Sequence, residues 1–287
     1  MSRGGRTSVT SWCDWKIPLH IGGMSDPLQP IEKQLRITYK SLEILRDYNY
    51  PFVMSTKGAL LGDDEYLDIL SQCNCVIQVS AVCSKYDVME QGAPTFEERM
   101  KIVEKVAPKV KRVIIRVQPY MHEVYKDVFN NIPMWKKIGV YGIVVEGIKL
   151  MRKRKGFVSV GADWVYPYDL IKSDFLKLKE EAHKHGLKIY AGENRIRALG
   201  DGWTCCGTDG LEGFRSNSYN ICHLINGDKV EPTEAMKKAK SAEPFTTLIQ
   251  NTIGSRQWRK KSFADAMVEW YQTHKDKLDI VFGKAKI

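Results

Sequence analysis

Apolar residues along this chain gather in short runs, each followed by a longer stretch in which they recur every three or four positions. The runs at 15–21, 51–55, 75–81, 112–117, 140–146 and 187–191 are bounded by turn residues and read as strands. Segments 31–48, 63–71 and 173–185 carry helical spacing, and 125–138 is expected to be partly helical. In the first of these, Leu35, Tyr39, Leu42 and Leu45 share one face. Pro94-Thr95-Phe96-Glu97-Glu98 opens a further helix with a capping box, Thr95 accepting from backbone N–H groups and Glu98 reaching back.

Strands that alternate with helices predict an α/β fold with a parallel sheet. Six units in succession favour a closed or partly closed barrel, a partial TIM-type (βα)6 arrangement. The alternation stops near Asn194, which divides the chain into a barrel over 1–193 and a C-terminal extension over 194–287. That extension opens with a loop rich in Gly, Cys and Asn, and helices are expected over 233–242 and 262–275. No strand leads into GxGxxG or GxxxxGK[ST], so neither a dinucleotide site nor a Walker phosphate site is indicated.

Parallel barrels place their chemistry at the carboxyl ends of the strands. Those ends are Gly22-Gly23-Met24, Ser55-Thr56-Lys57, Ser80-Ala81, Arg116-Val117-Gln118, Glu146-Gly147 and Glu193-Asn194, small and polar groups on one rim. The Gly22-Gly23 pair raises a question of its own. Two glycines at a strand end cost backbone entropy, and a close approach of another group to the backbone is the usual reason.

Composition narrows the setting. With 43% hydrophobic and 27% charged residues the chain reads as globular, and no apolar stretch approaches the roughly 20 residues of a spanning helix. The basic N-terminus lacks an apolar signal core, so a cytoplasmic address is expected. The net charge of +10 favours anionic partners, nucleic acid among them. It concentrates in Lys149–Lys155 and Arg256–Lys261, the second interleaved with Trp258. Seven cysteines without an export signal argue against a disulfide framework. Cys73, Cys75 and Cys83 read as small buried hydrophobes, and His183 and His185 as helix-surface residues.

The strand ends also carry a resemblance. GGMSDPLQPIE, YNYPFVMSTKG, VIQVSA, QGAPTFEERM and IIRVQPY, in that order over residues 17–148, resemble the spore-photoproduct-lyase-like branch of the radical S-adenosylmethionine (SAM) superfamily. That resemblance implies a partial barrel holding a [4Fe–4S] cluster and SAM, with reductive SAM cleavage and hydrogen abstraction from a substrate. A nucleic-acid base, as in DNA repair, would suit the basic charge. It gives Gly22, Gly23 and Met24 backbone contacts to the SAM amino group, and Asp26 a charge-assisted contact to the ammonium. Ser55, Thr56, Lys57 and Ser80 would lie near the methionyl group or ribose. Arg116 would pair with the SAM carboxylate, with Gln118 on the same face, or else form an ion pair with Glu146.

The departure from that family is the cluster motif. No CxxxCxxC occurs, and Cys13 is the sole cysteine before Gly22, so the [4Fe–4S] ligands are not found in this chain and its first βα unit reads as missing. Three explanations stand in order: a cluster-bearing partner polypeptide or a truncated reading frame, a degenerate barrel that binds without radical chemistry, or a cluster on C-terminal cysteines. Enzymatic activity therefore depends on a cluster-binding segment supplied from elsewhere. Cys205 and Cys206 are candidate hydrogen-atom donors, and with Cys222 and His223 candidate metal ligands. Glu146, Glu193 and Asn194 are candidate substrate contacts at the mouth. The rival reading is a non-catalytic nucleic-acid-binding or partner protein on the same barrel. A phosphorylated-metabolite barrel, with a loop over 207–213 and Arg215, is a third.

Overall fold

A computed structural model of the chain describes residues 18–160, 163–202, 205–211, 214 and 272. Six strands form one sheet, all parallel: β1 (Leu19–Ile21), β2 (Phe52–Thr56), β3 (Cys75–Ser80), β4 (Arg112–Tyr120), β5 (Gly142–Gly147) and, beyond a two-strand ribbon of β6 (Val158–Val160) and β7 (Asp163–Val165), β8 (Lys188–Ala191). Their spatial order is β1-β2-β3-β4-β5-β8, so each strand lies beside the next main strand in the chain. The connections run through α1 (Glu32–Leu35) and α2 (Ile37–Asp47), then α3 (Asp64–Ser71), α4 (Phe96–Val106), α5 (Tyr125–Lys137) and α6 (Tyr168–Lys184). Parallel crossovers of one hand carry such helices to one side of a sequentially ordered sheet. The α/β alternation expected from the sequence is present.

Register sorts the strand residues into two faces. Phe52, Met54, Cys75, Ile77, Val79, Val113, Ile115, Val117, Ile143, Val145, Ile189 and Ala191 alternate with the opposite set and are nearly all inaccessible. Each such aliphatic or aromatic side chain, fully buried, contributes about 1.5–3 kcal/mol. The other face carries His20, Val53, Ser55, Val76, Gln78, Ser80, Ile114, Arg116, Val144 and Tyr190. Both faces are largely covered, which is why strands such as CVIQVS and RVIIRV lack a polar alternation.

Several elements differ from the periodicity. The helix expected over 31–48 is broken at Arg36, whose backbone is left-handed at φ 51°. The break turns α1 away from the stripe continued by α2, so Leu42 and Leu45 are buried while Leu35 stays 49% exposed. Glu32 makes the junction stable. Its carboxylate is buried and accepts from Thr38 N (3.0 Å), Tyr39 N (2.9 Å) and Tyr66 Oη (3.0 Å), capping α2 from outside that helix. The capping box at Thr95 forms as expected, Glu98 N donating to Thr95 Oγ1 and Thr95 N to Glu98 Oε2.

The sequence reading missed the β6–β7 ribbon, an antiparallel pair between β5 and α6. Its strands are too short to show a period. A compact unit spans Pro18–Phe214, and the described residues of 194–214 fall within it. Cys13, Arg215, Cys222, His223, the basic run 256–261 and the helix expected over 233–242 lie outside the described residues, as does that over 262–275 apart from Gln272. No described helix is long and apolar enough to cross a membrane.

Candidate functional site

The face opposite the helices is apolar toward the amino ends of the strands and polar toward their carboxyl ends. Val53, Val76, Ile114, Val144 and Tyr190 form one cluster with Phe214, and Cys205, Cys206, Leu211 and Tyr141 pack against it. The segment carrying Cys205–Leu211 is fastened across this face by named groups. Arg112 donates to Gly207 O and Asp209 O, both at 2.8 Å, while its guanidinium lies 4.0 Å from the Tyr141 ring centroid. Gly207 has φ +69°, and a Cβ there would meet Ile114 Cδ1 at 2.6 Å, so this contact requires glycine.

Above that layer four strands contribute one polar cluster. His20 Nε2 lies 2.8 Å from Ser55 Oγ, which donates to Gln78 Oε1 at 2.8 Å. A hydroxyl has one proton, so with Ser55 donating to Gln78, His20 Nε2 is the donor to Ser55 and Nδ1 is left as an acceptor. Gln78 Nε2 donates to the backbone carbonyl of Cys205 at 3.2 Å, which ties the cluster to the covering segment. Arg116 reaches Ser55 Oγ at 3.4 Å, a long contact, and forms no ion pair among the described residues. The ion pair expected with Glu146 is absent, since Glu146 pairs instead with Lys149 at 2.6 Å. A half-buried guanidinium without a carboxylate is the feature of this face that most invites an anion.

Electrostatics follow from this crowding. His20 keeps an exposed face, yet desolvation of the rest, with the Arg116 charge adding, holds its pKa below the ordinary imidazole value against an opposing pull from Cys205. The Cys205 and Cys206 sulfurs are 3.7 Å apart. Hydrogen bonding from Cys206 pulls the Cys205 thiol well below the ordinary thiol value, and Arg197 and His20 add to this against burial. Cys206 moves the opposite way, raised by its contact with Cys205 and by its own desolvation. The directions of the two shifts make Cys205 the more readily ionised of the pair.

The other residues named from the sequence have these surroundings. Gly22 has φ +87°, and a Cβ there would stand 2.1 Å from Ser55 O, so β2 is the group that approaches it closely. Gly23 has open space around it, and Met24 is 101% exposed. Asp26 accepts from Leu28 N (2.9 Å), Thr56 Oγ1 (2.6 Å) and Lys57 N (2.6 Å), clipping the Gly-Gly loop to the end of β2. Lys57 Nζ pairs with Glu90 at 2.6 Å, and Glu90 pairs in turn with the buried Arg99, which also binds Ser80 O at 2.8 Å. Ser80 is the register partner of Arg116, and Gln118 follows two residues further along β4, half-buried. Glu193 is buried against Arg195, and burial raises its pKa in spite of that partner. Asn194 begins a 3-10 turn over Asn194–Leu199.

Thus Ser55, Arg116, Cys205 and Cys206 meet on one face, while Asp26, Thr56 and Lys57 are engaged by the scaffold. Sequence reasoning missed His20, Gln78, Arg112 and Arg197. Gln78 had a readable signal, a lone amide within the apolar run CVIQVS.

No family model matches the chain, and no curated protein matches it. Among solved structures, one assigned as an alpha-L-fucosidase from Bacteroides thetaiotaomicron is 12% identical over 67% of this chain and 82% of its own, with a TM-score of 0.28. That likeness is too slight to carry an argument.

Proposed function

We propose that this chain binds a small carboxylate-bearing ligand on the polar half of this face, that the sheet is the core of a partial (βα)6 barrel of the radical SAM type, and that the ligand is SAM. The observation that carries the reading is Arg116, a half-buried guanidinium with no ion pair among the described residues, midway along β4 but level with the carboxyl end of β3 at Ser80, and within reach of Ser55. Ligands of open parallel sheets and barrels bind at that end. The planar fork suits a carboxylate, and Ser80, in register with Arg116, adds a hydroxyl.

The fit is uneven. The carboxylate has a partner in Arg116, whereas Asp26, the residue the resemblance assigns to the ammonium, already accepts three hydrogen bonds. An iron–sulfur cluster does not fit the described residues. No three or more His, Cys, Asp or Glu side chains among them are placed to hold a metal ion. In this reading a partner polypeptide carries the cluster ligands, and Cys205 or Cys206 serves as the hydrogen-atom donor.

Isothermal titration with SAM tests the proposal. A hydrogen bond to a charged group contributes about 1.5–3 kcal/mol, so Arg116→Ala should weaken binding about 10- to 150-fold, with Arg116→Lys between. Wild-type protein that fails to bind SAM at millimolar concentration, or an alanine variant that binds equally well, overturns it.

A second reading has its own observation. Arg152, Lys153, Arg154 and Lys155 are all exposed beside the β6–β7 ribbon, with no acid among them. They supply a phosphate-binding surface for nucleic acid without any cofactor. Oligonucleotide binding with a steep salt dependence that persists in Arg116→Ala would favour it.

A further inference from the structure

The described cysteines fall into two groups. Cys73, Cys75 and Cys83 are buried, and burial raises all three thiols, that of Cys73 to about 11. Cys205 and Cys206 are half-exposed, consecutive, and have sulfurs in contact at 3.7 Å. Arg197, Arg116 and His20 each act electrostatically on one or both sulfurs, and these leading influences are all basic groups. Reactive cysteines occupy electropositive, partly accessible surroundings of this kind, whereas deeply buried ones are inert.

The backbone around the pair is held rather than loose. Gln78 fixes the Cys205 carbonyl, and Arg112 fixes those of Gly207 and Asp209. The sulfurs start 3.7 Å apart, and closing them to a bond of about 2.05 Å takes side-chain rotation together with local adjustment of the backbone. Consecutive Cα atoms lie about 3.8 Å apart, below the usual span of a disulfide, so such a bond is strained and readily reduced. A strained, accessible disulfide exchanges; it does not staple a fold.

We propose that Cys205 and Cys206 form a thiol–disulfide exchange site for small disulfides, with Cys205 as the attacking thiolate and Cys206 as the resolving thiol. The Cys205 thiolate attacks one sulfur of the disulfide RSSR, the reagent's S–S bond breaks, and RS⁻ leaves. The mixed disulfide on Cys205 is then attacked by Cys206, whose proton passes to the thiolate already released. A second RS⁻ departs and is protonated by water. Two protein thiols lose two electrons to become the Cys205–Cys206 disulfide, and RSSR is reduced to two RSH. None of this requires SAM or a cluster, so it stands apart from the ligand-binding proposal.

The full chain, incubated natively with oxidised glutathione, alkylated and mapped by peptide mass, gives the test. Wild-type protein should yield a 205–206 peptide lighter by two hydrogens and without glutathione. Cys206→Ser should trap glutathione on Cys205, and Cys205→Ser should react at least about 10-fold more slowly at Cys206. Cys73, Cys75 and Cys83 should react only after unfolding. Stable glutathione on the wild-type pair, equal rates for the two serine variants, or a Cys205 no faster than the buried cysteines each overturns the assignment. Should a serine variant fail to fold, iodoacetamide labelling of wild-type protein, read peptide by peptide, decides the same point through the rate at Cys205.

Discussion

Substituting the two adjacent glycines one at a time separates a packing role from a ligand role. Gly22 has φ +87°, a region that costs an L-residue roughly 1–2 kcal/mol. Its added Cβ would also sit 2.1 Å from Ser55 O and 3.0 Å from Pro27 Cδ. Ordinary C···O contacts begin near 3.3 Å, so β1 or β2 must move. Displacement there disturbs Ser55, the centre of the His20–Gln78–Arg116 cluster, and the loop clipped by Asp26. Strain and displacement together put the cost of Gly22→Ala at about 3 kcal/mol, within the range for substitutions at special backbone positions. Gly23 lacks the left-handed backbone, and a methyl group added to it would meet nothing within 4 Å, so Gly23→Ala should stay within about 0.5 kcal/mol of wild type. Urea unfolding followed by circular dichroism measures both. Equal stability of the two variants refutes the packing account of Gly22. A Gly23→Ala protein that is fully stable yet loses SAM binding would show that the exposed half of the turn serves the ligand.

Two further outcomes follow from the same physics. Burial opposes ionisation of Glu32, but donors from Tyr39, Thr38 and Tyr66 outweigh it and leave its pKa below the ordinary 4.5. A depressed carboxylate stabilises the fold above its unfolded value and loses that contribution as pH falls through the folded one. Glu32→Gln should therefore cost about 2 kcal/mol at neutral pH, and the gap to wild type should close well below pH 4.5; a pH-independent gap in urea midpoints contradicts this. Arg112→Met keeps much of the stem against Tyr141 but removes both donors to Gly207 O and Asp209 O. Amide exchange in 205–211 should then accelerate about 10-fold while the strands stay protected, and unchanged exchange would deny Arg112 its role as the fastener.

Legibility varied with how local the cause was. The alternation of strands and helices depends on apolar spacing and neighbouring turn residues, so it could be read directly, as could the Thr95–Glu98 capping box. The break at Arg36 could not. It follows from Glu32 reaching forward to Thr38 and Tyr39 and across to Tyr66, a partner distant in the chain. The partners of Asp26 are hidden for a similar reason. Only the fold brings Thr56 Oγ1 and the Lys57 amide to an acid beside the glycine turn.

The sequence by itself determined that this is a parallel α/β chain with small and polar residues at its strand ends, because spacing and turn chemistry are properties of neighbours. Tertiary structure alone decided which of those residues meet. Strand register places Ser55 opposite Gln78 and Ser80 opposite Arg116, and strand pairing brings His20 within reach of Ser55. A segment more than a hundred residues downstream then lays Cys205 across Gln78. Pairings of that range are set by how the sheet closes up residues far apart in the chain, and no local pattern encodes them.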